Sequence, residues 1–272
     1  MITDYLPRQL IAVAAGYQEG NTHVHVVSAE LYENNKLGIW FPKSHTYSTN
    51  DLITLHLDNR TGVDIYDAEL EVYRASYKGK VISISGNRLM LAPLETMVFY
   101  GNKCIYKYQA EEYTYPCDTR PEVSLKISPQ QKGITPDDTE FENKVGVLIT
   151  QALEQPHTTV MAFLSSTEDD IFMITYPNSF KGQLLARDTH CIFAIDNRNT
   201  FTFETHIDWN YTLISAEAFR VEKNSQLFTQ VQDLFIAKNP WEAGFFLADE
   251  IEMYHLKSKG VVCNQALIAN LL

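Results

Sequence analysis

The sequence predicts a mainly β chain with a few helices: a small barrel-like N-terminal half, then a second barrel-like half. Three observations predict it. Short β-branched and aromatic runs recur between turn signals from Leu10 to Tyr100, with hardly a helical pattern among them. A proline-punctuated stretch, Gln109 to Asp138, then denies both helix and central strand and reads as a connector. Beyond it, strand-like runs alternate with short amphipathic stretches. The boundary falls near Gln130, giving a β-rich domain over 1–130 and a second domain over 131–272.

Composition agrees with this class and narrows the partners. In 272 residues, 45% are hydrophobic and 21% charged, ordinary values for a chain that buries a core. The net charge of −12 and the lack of any Lys/Arg run argue against nucleic acid as a partner. A phosphorylated small molecule stays compatible, because one or two cations in a pocket suffice. Cys104, Cys117, Cys191 and Cys263 show neither CxxC nor zinc spacing and read as free thiols of a reducing, cytoplasmic setting. The apolar N-terminal patch has Asp4 early and lacks a basic lead, a poor signal peptide, and no apolar run is long enough to span a bilayer.

In the first half, HVHVVSAELY alternates as a strand, placing His23 and His25 toward solvent. Asn34-Asn35 turns into a strand over Leu37 to Phe41. Three more strands are expected over Leu52–Leu57, Ala68–Tyr73 and Lys80–Ser85, with Gly86-Asn87 turning into a further one. His23, His25, His45 and His56 match no metal-ligand spacing, so no metal is expected. Arg74-Ala75-Ser76-Tyr77-Lys78-Gly79 resembles the Ser-x-x-Gly half of the motif by which PilZ domains hold a cyclic dinucleotide. It departs in having Arg74 at the opening place and no arginine pair upstream. Its simplest reading is a turn in which Gly79 takes a positive φ.

In the second half, Thr135-Pro136-Asp137-Asp138 reads as a helix start, with Thr135 capping. An apolar stripe of Phe141, Val145, Leu148, Ile149, Ala152 and Leu153 at helical spacing follows. HTTVMAFLSS and Asp170–Tyr176 are strands, PNSFKGQLLARD a turn and short helix capped by Asn178 or Ser179, and HCIFAID a third strand. FTFETHID and WNYTLISAEAFRVE are further strands, and NSQLFTQVQDLFIAKNP is an amphipathic helix capped by Asn224 or Ser225. Gly244–Ala248 and Glu250–Leu256 close the chain as a hairpin.

The stretch IFMITYPNSFKGQLLARDTHCIFAID carries the strongest chemical signal. A helix start leaves backbone N–H groups and a partial positive charge; Ser179 adds a hydroxyl and Lys181 a full charge, a seat for phosphate. With the order of elements around it, this stretch resembles the FMN-binding split barrels of the pyridoxamine 5′-phosphate oxidase-like superfamily. The resemblance covers Thr139 to Lys259. It implies a split β-barrel domain, FMN as cofactor, a homodimer sharing the flavin, and an oxidoreductase activity in which the flavin does the redox chemistry. Carried over by position, Lys181 and Ser179 meet the phosphate, and Thr175 and Tyr176 flank the flavin. The strand and arginine that usually complete the phosphate site are not found; Arg187 and Arg198 lie elsewhere in the pattern. No side chain is singled out as catalytic. The alternative is a non-enzymatic two-barrel regulatory protein whose first half takes a cyclic dinucleotide.

Overall fold

The computed structural model describes residues 1–59, 72–101, 103–130, 133–141, 143–196 and 208–268. The chain is mainly β and forms two seven-stranded antiparallel sheets, each curled toward a barrel.

The first sheet contains β1 (Gln9–Gln18), β2 (Asn21–Leu31), β3 (Leu37–Trp40), β4 (Leu52–Asp58), β5 (Tyr73–Ser85), β6 (Arg88–Tyr100) and β7 (Lys103–Gln109). It closes. Its order is β3-β2-β1-β4-β5-β6, and β6 pairs back onto β3 from Leu37↔Leu91 to Trp40↔Arg88. The second half of β6 carries β7 instead. Closure pairs the edge of β3 with the first half of β6, and β7 stays at the end of the sheet. Register shifts between Lys78 and Gly79 and between Val81 and Ser83 mark bulges in β5, which bend the strand around the barrel.

Three sequence expectations change here. Lys80–Ser85 is only the end of β5, and the Arg74–Gly79 segment is strand, not turn. Gly79 is needed for space rather than for positive φ: an added Cβ would lie 2.7 Å from the Tyr77 ring and 3.1 Å from Leu91. His25 does not face solvent; its ring sits 5.0 Å edge-on to Phe41 at the barrel mouth. The strand expected over Ala68–Tyr73 lies largely outside the described residues.

The second sheet contains β8 (Val145–Thr150), β9 (His157–Ala162), β10 (Leu164–Ser165), β11 (Ile171–Thr175), β12 (His190–Asp196), β13 (Asp208–Val221) and β14 (Glu252–Ile268). Their spatial order is β10-β11-β14-β13-β12-β8-β9. Helix α1 (Phe180–Arg187) follows β11, and α2 (Gln226–Lys238) follows β13 and packs Val231 and Phe235 into a buried cluster with Phe172 and Met253. Ser225 caps α2, accepting from the Phe228 N–H at 3.1 Å.

The expected helix through Phe141–Leu153 is a correction. Only a 3-10 turn, Asp138–Glu140, forms, with Asp137 rather than Thr135 accepting at its start, and Val145–Thr150 is strand β8. Within the strand, Val147, Leu148 and Ile149 are buried on both faces of the sheet, so a continuous apolar run imitated helical spacing, while Phe141 and Leu153 at its ends are exposed. Gly244–Ala248 is likewise not a strand: Pro240–Leu247 is a 3-10 segment, and β14 pairs with β11 and β13 rather than forming a terminal hairpin. FTFETHID lies almost wholly outside the described residues, as do Arg198, Phe201 and Phe203 and the side chain of Trp209.

A shared apolar layer joins the sheets. Ile11, Val13 and Ala15 alternate with Ala12 and Ala14, which fill the first barrel. The outward set meets Val147, Ile149, Ala194 and Leu213 of the second sheet. The connector runs along this seam: Tyr115 donates to the Gln155 carbonyl at 2.6 Å, Tyr113 to its side chain at 2.8 Å, and Arg120 pairs with Asp118 and Asp188. Ile127 makes one parallel bridge to Arg220 of β13.

Candidate functional site

Strand β11 is buried throughout and ends at Thr175, where the chain turns into α1. Ser179 caps the helix: its hydroxyl donates to the Tyr176 carbonyl at 2.6 Å, accepts from the Gly182 N–H at 3.3 Å, and lies 3.2 Å from the Thr175 hydroxyl. Gly182 lets the first helical turn lie over the preceding segment, since an added Cβ would be 2.6 Å from the Pro177 carbonyl. Thr175, Tyr176 and Ser179 therefore form one hydrogen-bonded turn. Lys181 departs from them and enters a cavity of about 320 Å³ between the two sheets.

The cavity's other wall comes from the first barrel, and strand alternation explains its content. On β5, Ala75 and Tyr77 point into the barrel core, while Arg74, Ser76 and Lys78 occupy the outer face. Cross-strand register then places His56 of β4, Ser76 and Met97 of β6 in one row, and Arg74 beside Phe99 in the next. These five residues line the cavity. Facing them is the outer edge of β9, from His157 to Val160. Thr54 ties the two walls beside it, donating to the Pro156 carbonyl at 2.7 Å.

Polar groups in this cavity outnumber their partners. Ser76 Oγ, His157 Nδ1, Thr158 Oγ1 and Thr159 Oγ1 are buried and make no hydrogen bond to the described residues. Such groups each cost about 1–3 kcal/mol when left unsatisfied. Alternation along β9 turns Thr158 and Val160 toward the first barrel and Thr159 to the other face. Lys181 makes no salt bridge among the described residues, and burial lowers its pKa. His157 is held down to about 3 by burial first, then by Lys78 and Lys181, so its imidazole is neutral. Lys78 itself is paired with Glu95 and sits 4.5 Å over the Tyr115 ring. Phe180 and Tyr115 pack edge-on to the His157 ring at 4.9 Å and 6.2 Å.

Sequence reasoning reached Lys181, Arg74 and Ser76 separately, about a hundred residues apart, and the fold brings them to one cavity. His157, Thr158 and Thr159 were missed. They carry no motif, and only the position of β9 at the sheet edge gives them a role. Arg187 is occupied elsewhere, 2.7 Å from Glu122. Among the described residues, no cluster of three or more His, Cys, Asp or Glu is arranged to hold a metal. No helix there is long and apolar enough to cross a membrane.

No protein-family model matches the sequence, and no curated protein matches it. The chain is similar in structure to the heme storage protein HutZ from Vibrio cholerae, at 18% identity over 46% of this chain and 91% of that one, TM-score 0.40. It is also similar to a candidate pyridoxamine 5′-phosphate oxidase from Listeria innocua, at 15% identity over 43% of this chain and 86% of that one, TM-score 0.31. A NimC/NimA family protein from Clostridium acetobutylicum matches at 11% identity over 42% of this chain and 71% of that one, TM-score 0.32. Each likeness spans less than half of the present chain.

Proposed function

We propose that this protein binds a phosphorylated small molecule, with FMN the first candidate, at the cavity between its two sheets. The observation that carries this reading is Lys181, without a carboxylate partner among the described residues, entering a cavity whose lining residues include Ser76, His157 and Thr158, each with a side-chain polar atom that makes no described hydrogen bond. A phosphate accepts from both the ammonium and the hydroxyls, satisfying in one group what the protein leaves unsatisfied. Met97, Phe99 and Val160 supply an apolar wall for a ring system. The donor set thus fits the phosphate end of a flavin nucleotide.

In this reading Lys181 meets the phosphate. Thr175, Tyr176 and Ser179 fix the turn from which Lys181 projects, and the first turn of α1 adds its partial positive charge. The neutral His157 ring offers a hydrogen bond without adding charge. Bound FMN would supply hydride or one-electron chemistry, making the protein an oxidoreductase, and the reading carries with it a cytoplasmic homodimer. The test is an absorbance spectrum of the purified protein followed by FMN titration. We expect saturable binding that Lys181→Gln weakens about tenfold, the scale of one charge-assisted contact. A colourless protein that takes up no FMN would refute it, and a monomer in sedimentation would remove the shared-flavin dimer.

A second reading is favoured by one specific observation: Arg74 and Ser76 of the Arg74–Gly79 segment line this same cavity. It is a non-enzymatic two-barrel protein that binds a cyclic dinucleotide. Calorimetry with cyclic di-GMP decides it, since heat from that ligand and none from FMN would exchange the two readings.

A further inference from the structure

The seam between the two sheets is built of two unlike halves. Along β1 it is apolar: Ile11 and Val13 pack with Val147, Ile149 and Leu213 of the second sheet. Along β9 it is polar. Ser76 on the outer face of β5 and Thr158 on β9 line the Lys181 cavity from opposite walls. Both hydroxyls are buried and make no hydrogen bond to the described residues. Thr54, which crosses to the Pro156 carbonyl at 2.7 Å, pairs in register with Lys78. Lys78 and Glu95 form an ion pair buried on the same outer face, against the Tyr115 ring.

The two halves respond oppositely to closure. Packing the β1 side removes hydrocarbon from water and holds the sheets together. Closing the β9 side strips water from two hydroxyls that gain no described protein partner, and from an ion pair whose desolvation offsets its attraction. Separation there breaks the Thr54 bond and returns that water while the apolar layer stays intact, so the β9 side gives first. Separation also matters to a ligand. Buried as they stand, the Ser76 and Thr158 hydroxyls are out of reach of a molecule in the cavity. We propose that the β9 side of the seam opens and closes about the β1 layer as a hinge, and that a ligand of the Lys181 cavity gains Ser76 and Thr158 through this opening. The opening follows from the seam itself; its use by a ligand rests on the function proposed above.

The test is alkylation of the full-length protein by iodoacetamide, read site by site by mass spectrometry, in Thr158→Cys and, on the other wall, Ser76→Cys. Both hydroxyls lack a described partner and both substitutions stay close in size, so the fold is kept. Two native thiols bracket the rate: Cys104 is exposed, and Cys191 lies in the buried core of the second sheet. We expect each introduced thiol to react at least about tenfold faster than Cys191, because local opening outpaces global unfolding, and more slowly than Cys104. FMN at about ten times its Kd should slow that reaction about tenfold, by mass action. Rates no faster than Cys191 in both variants, or equal to Cys104, overturn the opening. If FMN binds by absorbance titration yet leaves the rates unchanged, the ligand's use of the opening is overturned. If no FMN binds, the functional reading fails instead, and the labelling rates still decide the opening.

Discussion

Burial moves the titration of two histidines in the same direction, and the sign of the consequence follows. His157 and His25 are held down to about 3 and about 4, against an ordinary value near 6.5. The unfolded chain therefore takes up protons below pH ~6.5 that the folded chain refuses until far lower. Stability contributed by the neutral rings is complete above that pH and is lost as pH falls, at a limiting slope of about 1.4 kcal/mol per unit for each ring. Urea denaturation at steps from pH 7.5 to 4.5 should show this slope, and His157→Gln should flatten part of it; an unchanged slope contradicts the assignment. At the same scale, Ser179→Ala removes the α1 cap and should cost about 0.5–2 kcal/mol in the same measurement. A cap at Asn178 or Ser179 was legible from sequence because Asn or Ser before a short amphipathic run has a local mechanism. Its separation from the Lys181 cavity was not, since the direction of a side chain two residues on depends on what packs against the helix.

At the scale of elements, local signals succeeded where they were strictly local. Gly86-Asn87, Asn34-Asn35 and Ser225 all do what their chemistry favours, and Gly86 takes a φ of 56°. They failed where burial on both faces erased the period. Strand β8 is the instance: Val147, Leu148 and Ile149 are all buried, so no polar alternation betrays a strand. Gly146 within it has a tertiary cause, because a Cβ there would lie 2.4 Å from the Phe193 ring and 2.8 Å from the Ala194 carbonyl. Gly146→Ala should therefore destabilise by about 1–3 kcal/mol although alanine is the better residue for regular structure. A melting temperature equal to the parent protein's would show that Phe193 yields freely. Segment Pro240–Leu247 failed for another reason: Trp241, Phe245 and Leu247 are aromatic and apolar yet exposed, so hydrophobicity there reports no strand core.

The whole molecule is held by the layer between its sheets. Ile149 is buried against residues of both, in the cluster that includes Ile11 and Val13. Truncation to alanine there should cost about 2–5 kcal/mol and lower a single unfolding transition. Two resolved transitions in calorimetry, only one of them shifted, would instead make the regions 1–130 and 131–272 independent folding units. The connector favours the single transition, because Tyr113, Tyr115 and Arg120 bond to Gln151 and Gln155 in the loop between β8 and β9. The proline-rich stretch was read as a spacer; its aromatic and arginine residues make it a strap.

By itself the sequence determined the β class, the two-part order and most strand positions of the first barrel, and it narrowed the cap of each helix to two adjacent residues. These follow from interactions among residues a few positions apart, where alternation, capping and turn chemistry act. Only the tertiary structure decided that the Arg74–Gly79 segment is a strand presenting Arg74 and Ser76 outward. It also decided that the edge of β9 brings His157, Thr158 and Thr159 opposite them, with Lys181 entering between. The physical reason is that a cavity belongs to two surfaces at once. Each surface is written locally, but their juxtaposition depends on apolar packing between sheets, which no spacing within either stretch records.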